Sequence, residues 1–297
     1  MTANLLDGKE LCAEMLQRTK ERVEGFSQRG RCPTLAVVRI GACPADVAYE
    51  RMIEKMAEKV GITLKSIVID DSAPESAVID ALNTLNTDSS VDGTLLFRPL
   101  PSTINEKQIC REMIPFKDVD GISEAMMSMV YEGGILSPKG APDVRQIGFA
   151  PCTAEAVIRV LKYNKIDLVG KHVVVVGRSV VIGKPVAMLL LDENATVTIC
   201  HTKTQNLDTR MKSADVVVVA AGISGGRASR FGAKYFSPGQ TVIDVGIHED
   251  EEGMYGDVDT DVVSEIVSAI TPVPGGLGSV TVATLLTHVM DASETQA

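Results

Sequence analysis

One stretch of the sequence, residues 172–191, predicts a strand, a tight loop and a helix in direct succession. The four consecutive valines from Val173 to Val176 show no polar alternation, which is typical of a strand buried on both faces in a parallel sheet. The loop runs from Gly177 to Gly183, and Pro185 stands in the first turn of the apolar helix that follows, where a missing N–H costs no hydrogen bond. Such a loop points backbone N–H groups and the positive end of a helix dipole at its ligand, which favours a phosphate group.

The segment after this helix indicates which phosphate-containing cofactor the loop would bind. Residues 195–200 predict a second strand, which ends in the polar and cationic sequence of residues 201–204. In dinucleotide-binding folds the end of the second strand lies beside the adenosine ribose, where an acidic residue selects a 2′-hydroxyl and a basic one a 2′-phosphate. No acidic residue stands there, and Arg178, Thr202 and Lys203 favour NADP over NAD, with NAD as the other possibility. The glycine spacing departs from G-x-G-x-x-G, so a merely solvated loop is the alternative interpretation.

Composition and charge exclude several classes of protein. The 297 residues suggest about two domains, and the net charge of −10 without a basic cluster argues against nucleic acid as a partner. Six cysteines and four histidines show no metal-binding spacing, so we expect no metal site and no disulfide framework. The sequence contains no apolar run long enough to span a membrane and no signal sequence at its N-terminus, so we expect a cytoplasmic protein that does not bind membranes.

Strands alternate with helices along most of the chain. The alternation predicts an α/β fold of two domains, each with a mainly parallel sheet built from βαβ units. Residues 5–26 carry the pattern of an amphipathic helix, and the Met-rich segment Met126 to Met129 is expected to pack in the core. The texture changes after Pro115, and the loop-like residues 133–148 place a domain boundary near residues 140–150.

Seven separated motifs resemble those of one enzyme family. They are Pro44-Ala45 with Tyr49 and Val60-Gly61-Ile62, Pro99-Leu100-Pro101, Lys117-Asp118-Val119-Asp120-Gly121, Pro151-Cys152-Thr153, residues 174–185, residues 200–204 and residues 271–278. The chain resembles the bifunctional methylenetetrahydrofolate dehydrogenase/methenyltetrahydrofolate cyclohydrolase family over most of its length. The resemblance implies a folate-binding and catalytic domain (1–146 plus 279–297) and a Rossmann-like NADP-binding domain (147–278). It also implies a cleft between the two domains, a C-terminal helix that returns to the first domain, and a homodimer.

The resemblance assigns substrate contacts to particular residues. Tyr49 would stack on the folate and Asp120 would bind the pterin, and these two residues are the catalytic candidates. The roles are physically reasonable, because one carboxylate can accept two adjacent N–H groups of the pterin and a tyrosine face offers stacking area. The other residues implied to contact the tetrahydrofolate derivative are Phe97, Pro99, Pro272, Gly275 and Gly276. Those implied to contact the cofactor are Gly177, Arg178, Ser179, Ile182, Gly183, Pro185, His201, Thr202, Ala221, Gly222, Ile247 and Thr281.

Two positions depart from the family pattern. The family carries a catalytic lysine four residues after the tyrosine, one helical turn on, and here that position is Ile53. Its glutamine partner stands two residues before the first proline of P-L-P, and here that position is Phe97. Lys55 is a poor substitute, because six residues along a helix turn it about 120° away from Tyr49. Replacement of both partners by apolar residues is self-consistent, since neither is left buried and unpaired.

The two reactions of the family differ in what they require. Hydride transfer requires mainly the alignment of donor and acceptor, whereas hydrolysis of the methenyl cation requires a positioned acid or base. The sequence therefore predicts an NADP-linked methylenetetrahydrofolate dehydrogenase whose cyclohydrolase activity is lost or weak. Three alternatives stay open: a bifunctional enzyme with a substitute acid or base, a folate- or dinucleotide-binding protein without catalysis, and a dehydrogenase of another small molecule whose pocket uses the cation Arg98.

Overall fold

The computed structural model describes residues 2–28, 30–133, 135 and 148–296. The chain forms two compact units: an N-terminal unit of Ala13–Cys152 and Val282–Ala297, and a C-terminal unit of Met1–Cys12 and Thr153–Thr281. The boundary expected near residue 146 lies outside the described residues. The units differ from the division expected at the sequence level, because the first twelve residues belong to the C-terminal unit. The functional division into a folate domain and a cofactor domain stays a prediction.

The secondary structure alternates as expected. In chain order the strands are β1 (Asn4–Leu5), β2 (Thr34–Ile40), β3 (Thr63–Ile69), β4 (Gly93–Leu96), β5 (His172–Val176), β6 (Thr196–Cys200), β7 (Val216–Val219), β8 (Thr241–Asp244), β9 (His248–Asp250), β10 (Gly253–Tyr255) and β11 (Ala269–Ile270). The helices are α1 (Lys9–Ser27), α2 (Pro44–Val60), α3 (Glu75–Thr87), α4 (Glu106–Glu112), α5 (Glu124–Glu132), α6 (Cys152–Tyr163), α7 (Gly183–Asp192), α8 (Leu207–Lys212), α9 (Thr260–Val263) and α10 (Gly278–Thr295). The α/β fold class is thereby confirmed.

The N-terminal unit is built on a three-stranded parallel sheet of order β3-β2-β4. Residues 35–38 of the central strand β2 are apolar and buried, which is typical of a strand covered on both faces. Helix α2 starts at Pro44 and ends at Val60, and the next residue, Gly61, has a φ of 83° and provides the left-handed C-cap that favours glycine. The last part of α10 belongs to this unit, and Arg22 of α1 bonds Asp291 at 2.6 Å. The expected return of the C-terminal helix is thereby confirmed.

The C-terminal unit is built on a six-stranded sheet of order β1-β11-β8-β7-β5-β6, with parallel pairing throughout. The chain passes from β5 outward to β6 and then returns to the other side of β5 at β7. The direction of winding therefore reverses between β5 and β7, and ligands of open α/β sheets bind beyond the carboxyl ends of the strands at such a point. This topology agrees with the ligand site predicted beside Gly177.

The helix expected over residues 5–26 is wrong at its start. Asn4 and Leu5 form a strand, because the backbone N–H groups of Asn4 and Leu6 donate to the carbonyls of Ser268 and Ile270. The helix starts at Lys9, whose backbone N–H donates to the Asp7 carboxylate at 2.8 Å. Apolar spacing alone could not reveal that the first residues pair with β11, some 260 positions away.

Other expectations have mixed outcomes. Met126 is buried in α5 and its sulfur accepts the Phe149 backbone N–H at 3.1 Å, so this part of the Met-rich segment packs as expected. Of the loop expected over residues 133–148, residues 134 and 136–147 lie outside the described residues. Within the described ranges, the helices lack the combination of length and apolar character that a membrane span requires. The described His, Cys, Asp and Glu side chains form no group of three or more suited to a metal ion.

Candidate functional site

Helix α2 carries Tyr49 and, one turn later, Ile53. The Tyr49 side chain is partly covered, and burial together with the charges of Asp120 and Cys152 raises the pKa of its hydroxyl far above the ordinary value. Tyr49 therefore keeps its proton at neutral pH and can act as a hydrogen-bond donor or a stacking surface. Ile53 is fully buried, so the position at which the resemblance implies a lysine holds an apolar side chain in the interior of this unit.

Phe97 follows directly after β4 and packs against Tyr49. Its backbone N–H donates to the Val38 carbonyl at 2.9 Å, which extends the pairing of the sheet by one residue. The two rings have centroids 5.5 Å apart and are tilted by 44°, a favourable arrangement for an aromatic pair. Phe97 is only 8% exposed. Where the family pattern places an amide, this chain therefore has a packed ring that can neither donate nor accept a proton.

A tight turn holds Asp120. The neighbouring Asp118 is fully buried, and its carboxylate accepts the backbone N–H groups of Ile122 at 3.0 Å and Ser123 at 2.7 Å. These bonds fix the turn, while the Asp120 carboxylate accepts the Cys152 N–H at 3.1 Å and stays partly exposed. A partly exposed carboxylate with remaining acceptor capacity suits the pterin contact that the sequence predicts.

The side chain of Arg98 is 7% exposed and lies between two carboxylates. Its guanidinium nitrogens are 3.7 Å from Glu106 and 4.0 Å from Asp120. Glu106 also accepts the backbone N–H of Leu100 at 3.0 Å, which anchors the segment that contains Pro99. The charge of Arg98 is thus compensated within the unit. Because a guanidinium does not deprotonate in proteins, Arg98 cannot replace the family lysine as an acid or base.

A cavity of about 660 Å³ opens beside Phe97. Its ten lining residues are Ile40, Gly41, Ala42, Cys43, Asp46, Asp71, Phe97, Pro99, Leu100 and Pro101. They lie where β2 and β4 end, which is the edge of a parallel sheet where ligands commonly bind. The lining contains two carboxylates and no lysine, and burial raises the pKa of Asp46.

Two lysines lie within or close to the motifs of the N-terminal unit. Lys55 is exposed on α2, in agreement with its helical angle from Tyr49. Lys117 is buried, and its ammonium donates to the carbonyls of Leu85 and Asp88 at 2.7 Å each. Those two carbonyls belong to the C-terminal end of α3, where a cation is favourable. The Lys117 ammonium is therefore occupied by backbone carbonyls, and the exclusion of Lys55 as a substitute for the implied lysine stays a prediction.

The loop after β5 has the compact shape that the sequence predicts. Gly177 has a φ of 135°, and a Cβ atom on Gly183 would lie 2.4 Å from the Gly177 carbonyl oxygen. Only glycine permits that approach, so the loop curls back on itself as helix α7 begins. The Ser179 hydroxyl accepts the N–H groups of Ile182 at 3.1 Å and Gly183 at 3.4 Å. Pro185 is buried in the first turn of α7, and binding of a dinucleotide phosphate by this loop stays a prediction.

The end of β6 lies beside this loop. The Gly177 N–H donates to the Cys200 carbonyl at 2.9 Å, so the carboxyl ends of β5 and β6 are adjacent. His201 is partly buried in a turn closed by Thr204, whose hydroxyl accepts the His201 N–H at 2.8 Å. Thr202, Lys203 and Arg178 are exposed. Two cations thus stand at the two strand ends where the sequence predicts recognition of a 2′-phosphate.

The loop after β7 contains Ala221 and Gly222. It lies next to the loop after β5, because a Cβ atom on Gly177 would lie 2.2 Å from the Ala220 carbonyl oxygen. The N–H groups of Ala221 and Gly222 do not point freely at a ligand, since both donate to the carboxylate of Asp257. Ile247 follows β8 and is 58% exposed, an unusual placement for a large apolar side chain unless a ligand or partner covers it.

The remaining predicted contacts lie after β11 in the same unit. Pro272 to Gly276 form a turn in which the Gly276 N–H donates to the Pro272 carbonyl at 2.8 Å and Gly275 has a φ of 110°. Gly275 is exposed, whereas Gly276 is buried. Thr281 is only 7% exposed on α10, so little of its side chain is open to a ligand. The roles of these residues stay predictions.

Asp257 was not identified from the sequence, because its partner Ala221 lies 36 residues away in the chain. Cys152 belongs to a motif of the family, but its contact with Asp120, 32 residues away, was not identifiable either. No spacing rule links such pairs. The signal that the sequence did offer was that β7 and β8 are both apolar strands, which pair with each other in the sheet.

Known protein families match both units. Residues 6–120 match the tetrahydrofolate dehydrogenase/cyclohydrolase catalytic domain, and residues 151–297 match the tetrahydrofolate dehydrogenase/cyclohydrolase NAD(P)-binding domain. The bifunctional protein FolD of Clostridioides difficile is 42% identical over 293 residues, which cover 98% of this chain and 97% of that protein.

Solved structures agree with these matches. The bifunctional FolD of Campylobacter jejuni has a TM-score of 0.90 at 35% identity and covers 99% of this chain and 100% of its own. The FolD of Trypanosoma brucei, solved with NADP cofactor and an inhibitor, has a TM-score of 0.88 at 29% identity and covers 99% of this chain and 98% of its own. Both sequence matches and structural neighbours thus extend over almost the whole chain, and the chain belongs to the tetrahydrofolate dehydrogenase/cyclohydrolase family.

Proposed function

We propose that this chain is a 5,10-methylenetetrahydrofolate dehydrogenase that uses NADP and has little or no cyclohydrolase activity. The observation that carries the proposal is the buried apolar pair of Ile53 and Phe97 next to Tyr49, at positions where the family pattern has a lysine and a glutamine. The binding residues Tyr49 and Asp120 are retained. The chain keeps what orients a folate and lacks what moves protons during hydrolysis.

The residues present suit a reaction controlled by orientation. Asp120 can accept the adjacent N–H groups of the pterin, and Tyr49 with Phe97 gives the flat substrate an aromatic surface. The substrate's own nitrogen lone pairs assist departure of the hydride from the methylene carbon, so no side chain has to titrate. When bound, NADP supplies the hydride acceptor. The task of the chain is to hold the two reactants at about 3–3.5 Å, which alone can contribute several kcal/mol to catalysis.

Hydrolysis of the methenyl cation makes a different demand. Water must be activated and a proton must then reach nitrogen, which calls for a group whose pKa lies near the working pH. Tyr49 has a raised pKa, Arg98 stays charged, and Ile53 and Phe97 have no proton to transfer. Burial also raises the pKa of the Cys110 thiol to about 11. Two carboxylates remain as candidate bases: Asp120, which in this proposal is occupied by the pterin, and Asp46, whose pKa is raised by burial and which lines the cavity beside Phe97.

The choice of NADP is supported by charge at the strand ends. Arg178 and Lys203 are exposed cations at the ends of β5 and β6, and residues 201–204 contain no carboxylate. A basic residue at this place favours a 2′-phosphate over a free 2′-hydroxyl. Steady-state kinetics with both nicotinamides test the assignment, and a kcat/KM for NAD equal to that for NADP would contradict it.

The second candidate function is the bifunctional enzyme. It is favoured by the relatives, because the 42% identical protein of C. difficile bears the name of a bifunctional protein. Separate assays decide between the two candidates. We expect NADP-dependent oxidation of methylenetetrahydrofolate to be much faster than hydrolysis of methenyltetrahydrofolate. Hydrolysis at a rate comparable to that of oxidation would establish the bifunctional enzyme. A binding protein without catalysis would produce no reduced-nicotinamide absorbance from methylenetetrahydrofolate and NADP.

We also propose that the protein is a homodimer that pairs through β3. This strand is an edge of its sheet and is largely exposed, with Val68 at 54%. An exposed edge of seven residues offers unpaired backbone groups to a second copy. Sedimentation should show a dimer that Val68→Lys weakens, and a monomer at micromolar concentration would refute this part of the proposal.

A further inference from the structure

The loop after β7 presents three consecutive backbone N–H groups to one buried carboxylate. Ala221 and Gly222 donate to one oxygen of Asp257 at 2.7 and 2.9 Å, and Ile223 donates to the other at 3.1 Å. The Asp257 side chain is completely buried. Successive N–H groups arranged in this way ordinarily form a binding site for an external anion such as phosphate. Here an internal carboxylate occupies the site.

A fourth donor completes the arrangement. The Nε2 atom of His248, which follows the exposed Ile247, lies 2.8 Å from the Asp257 oxygen that also accepts the Ile223 N–H. The imidazole is partly exposed and stacks on Tyr255, with ring centroids 5.2 Å apart. Because the carboxylate offers only acceptors, Nε2 carries the proton in this contact. One Asp257 oxygen therefore accepts only from the loop, and the other is shared between the loop and His248.

The segment that contains Asp257 is bound by a second buried carboxylate, that of Asp244. Asp244 is buried at the end of β8, and its oxygens accept the backbone N–H groups of Gly246, Asp257 and Val258 at 2.9 to 3.0 Å. Burial, together with the nearby charge of Asp257, raises the pKa of Asp244 to about 7 against the opposing effect of these hydrogen bonds. The segment that contains Asp257 is thus fixed to the end of β8, and this fixes the position of its carboxylate independently of the loop.

The loop after β7 lies next to the loop after β5, which is predicted to bind the dinucleotide. The loop leaves the carboxyl end of β7, beside β5, where the winding of the sheet reverses. Its first carbonyl, that of Ala220, lies so close to Gly177 that a Cβ atom there would approach it to 2.2 Å. A shift of residues 220–223 would therefore disturb the loop after β5 as well. Through its bonds to residues 221–223, Asp257 therefore constrains both loops.

We propose that Asp257, held by His248, is a positioning residue that fixes residues 221–223 in the conformation required for binding the nicotinamide cofactor. The inference rests on the proposed dinucleotide site. It also refines the predicted roles of Ala221 and Gly222: their N–H groups serve the internal carboxylate, and they would face the cofactor through Cα atoms and carbonyls.

The decisive experiment compares matched variants by binding of NADPH, followed through the fluorescence of NADPH itself in a protein that contains no tryptophan. Asp257→Asn keeps the shape but replaces one acceptor with a donor that opposes the loop N–H groups. We expect the dissociation constant of NADPH to rise at least tenfold. His248→Leu should raise it about threefold to tenfold, and His248→Gln, which keeps a donor, should stay within twofold. Asp261→Asn, an exposed change on α9, is the control.

Hydrogen exchange of the three loop amides provides a second readout that needs no cofactor. They should be protected in the wild type, exchange faster in His248→Leu, and regain protection in His248→Gln. A wild-type protein that binds no NADPH would refute the dinucleotide site, while the exchange rates would still test the role of Asp257. Unprotected amides in the wild type, or NADPH binding within twofold of wild type in folded Asp257→Asn and His248→Leu, would overturn the inference. If Asp257→Asn fails to fold, the two His248 variants decide it.

Discussion

Restoring the proton-handling pair tests the central argument on the N-terminal unit. The perturbation is Ile53→Lys and Phe97→Gln, made singly and together. The expected stabilities follow from burial. Ile53 is fully buried, so a lysine there must lose its charge or remain unsolvated, and shifting its pKa from about 10.4 to 7 costs about 4–5 kcal/mol at ~1.4 kcal/mol per unit. Ile53→Lys alone should therefore destabilise the protein by about 3–5 kcal/mol, since water penetration offsets part of the cost.

The second change removes packing. Phe97 is 8% exposed and contacts the ring of Tyr49, so truncation to alanine would cost about 3–5 kcal/mol, and glutamine refills part of that space. We expect about 2–3 kcal/mol for Phe97→Gln. A hydrogen bond between the new ammonium and the new amide should return about 1.5–3 kcal/mol. The double variant should thus lose less stability than the sum of the losses of the two single variants, and the difference should equal the contribution of this hydrogen bond.

Two measurements report the outcome. Urea unfolding of the four proteins gives the coupling energy, and absorbance of methenyltetrahydrofolate gives the rate of hydrolysis above the rate without protein. We expect the double variant to hydrolyse at least tenfold faster than either single variant. Ile53→Met and Phe97→Leu, which conserve apolar character, should cost less and produce no hydrolysis. Equal hydrolysis by one single variant, or a coupling energy near zero, would refute the idea that the two positions act as a unit.

Three further predictions concern charges and close contacts. Arg98→Met should destabilise the protein by about 1–3 kcal/mol in urea, because it leaves two carboxylates uncompensated, and Arg98→Lys should recover more than half; a neutral effect of Arg98→Met would contradict this. Gly183→Ala should weaken NADPH binding at least tenfold, because its Cβ would lie 2.4 Å from the Gly177 carbonyl oxygen, and unchanged binding would show that the loop can open. The raised pKa of Asp244, about 7, makes its protonated form the stable one in the folded state. Its contribution is complete below pH ~4 and is lost as the pH rises to about 7, by up to ~4 kcal/mol, so the stability of the wild type relative to Asp244→Asn should fall over this range. A difference that does not vary with pH would place the pKa of Asp244 below 4.

Much of the architecture could be predicted from local sequence patterns. The four valines of β5, the glycine-bracketed loop and the apolar helix α7 were identifiable because each depends on neighbours within a few residues. The same holds for Gly61, which ends α2 through its own left-handed conformation. The first strand was not identifiable, since two residues carry no periodicity and their partners lie in β11.

The candidate sites divide in the same way. The sequence by itself determined which side chains are present: an isoleucine and a phenylalanine at the two departing positions, and cations after β5 and β6. The tertiary structure alone decided that Phe97 packs on Tyr49, that Arg98 lies between Glu106 and Asp120, and that Asp257 fills the amide row after β7. The physical reason is that helices, strands and turns follow from short-range backbone preferences, whereas charge compensation and burial depend on partners that only the folded chain brings within a few ångströms.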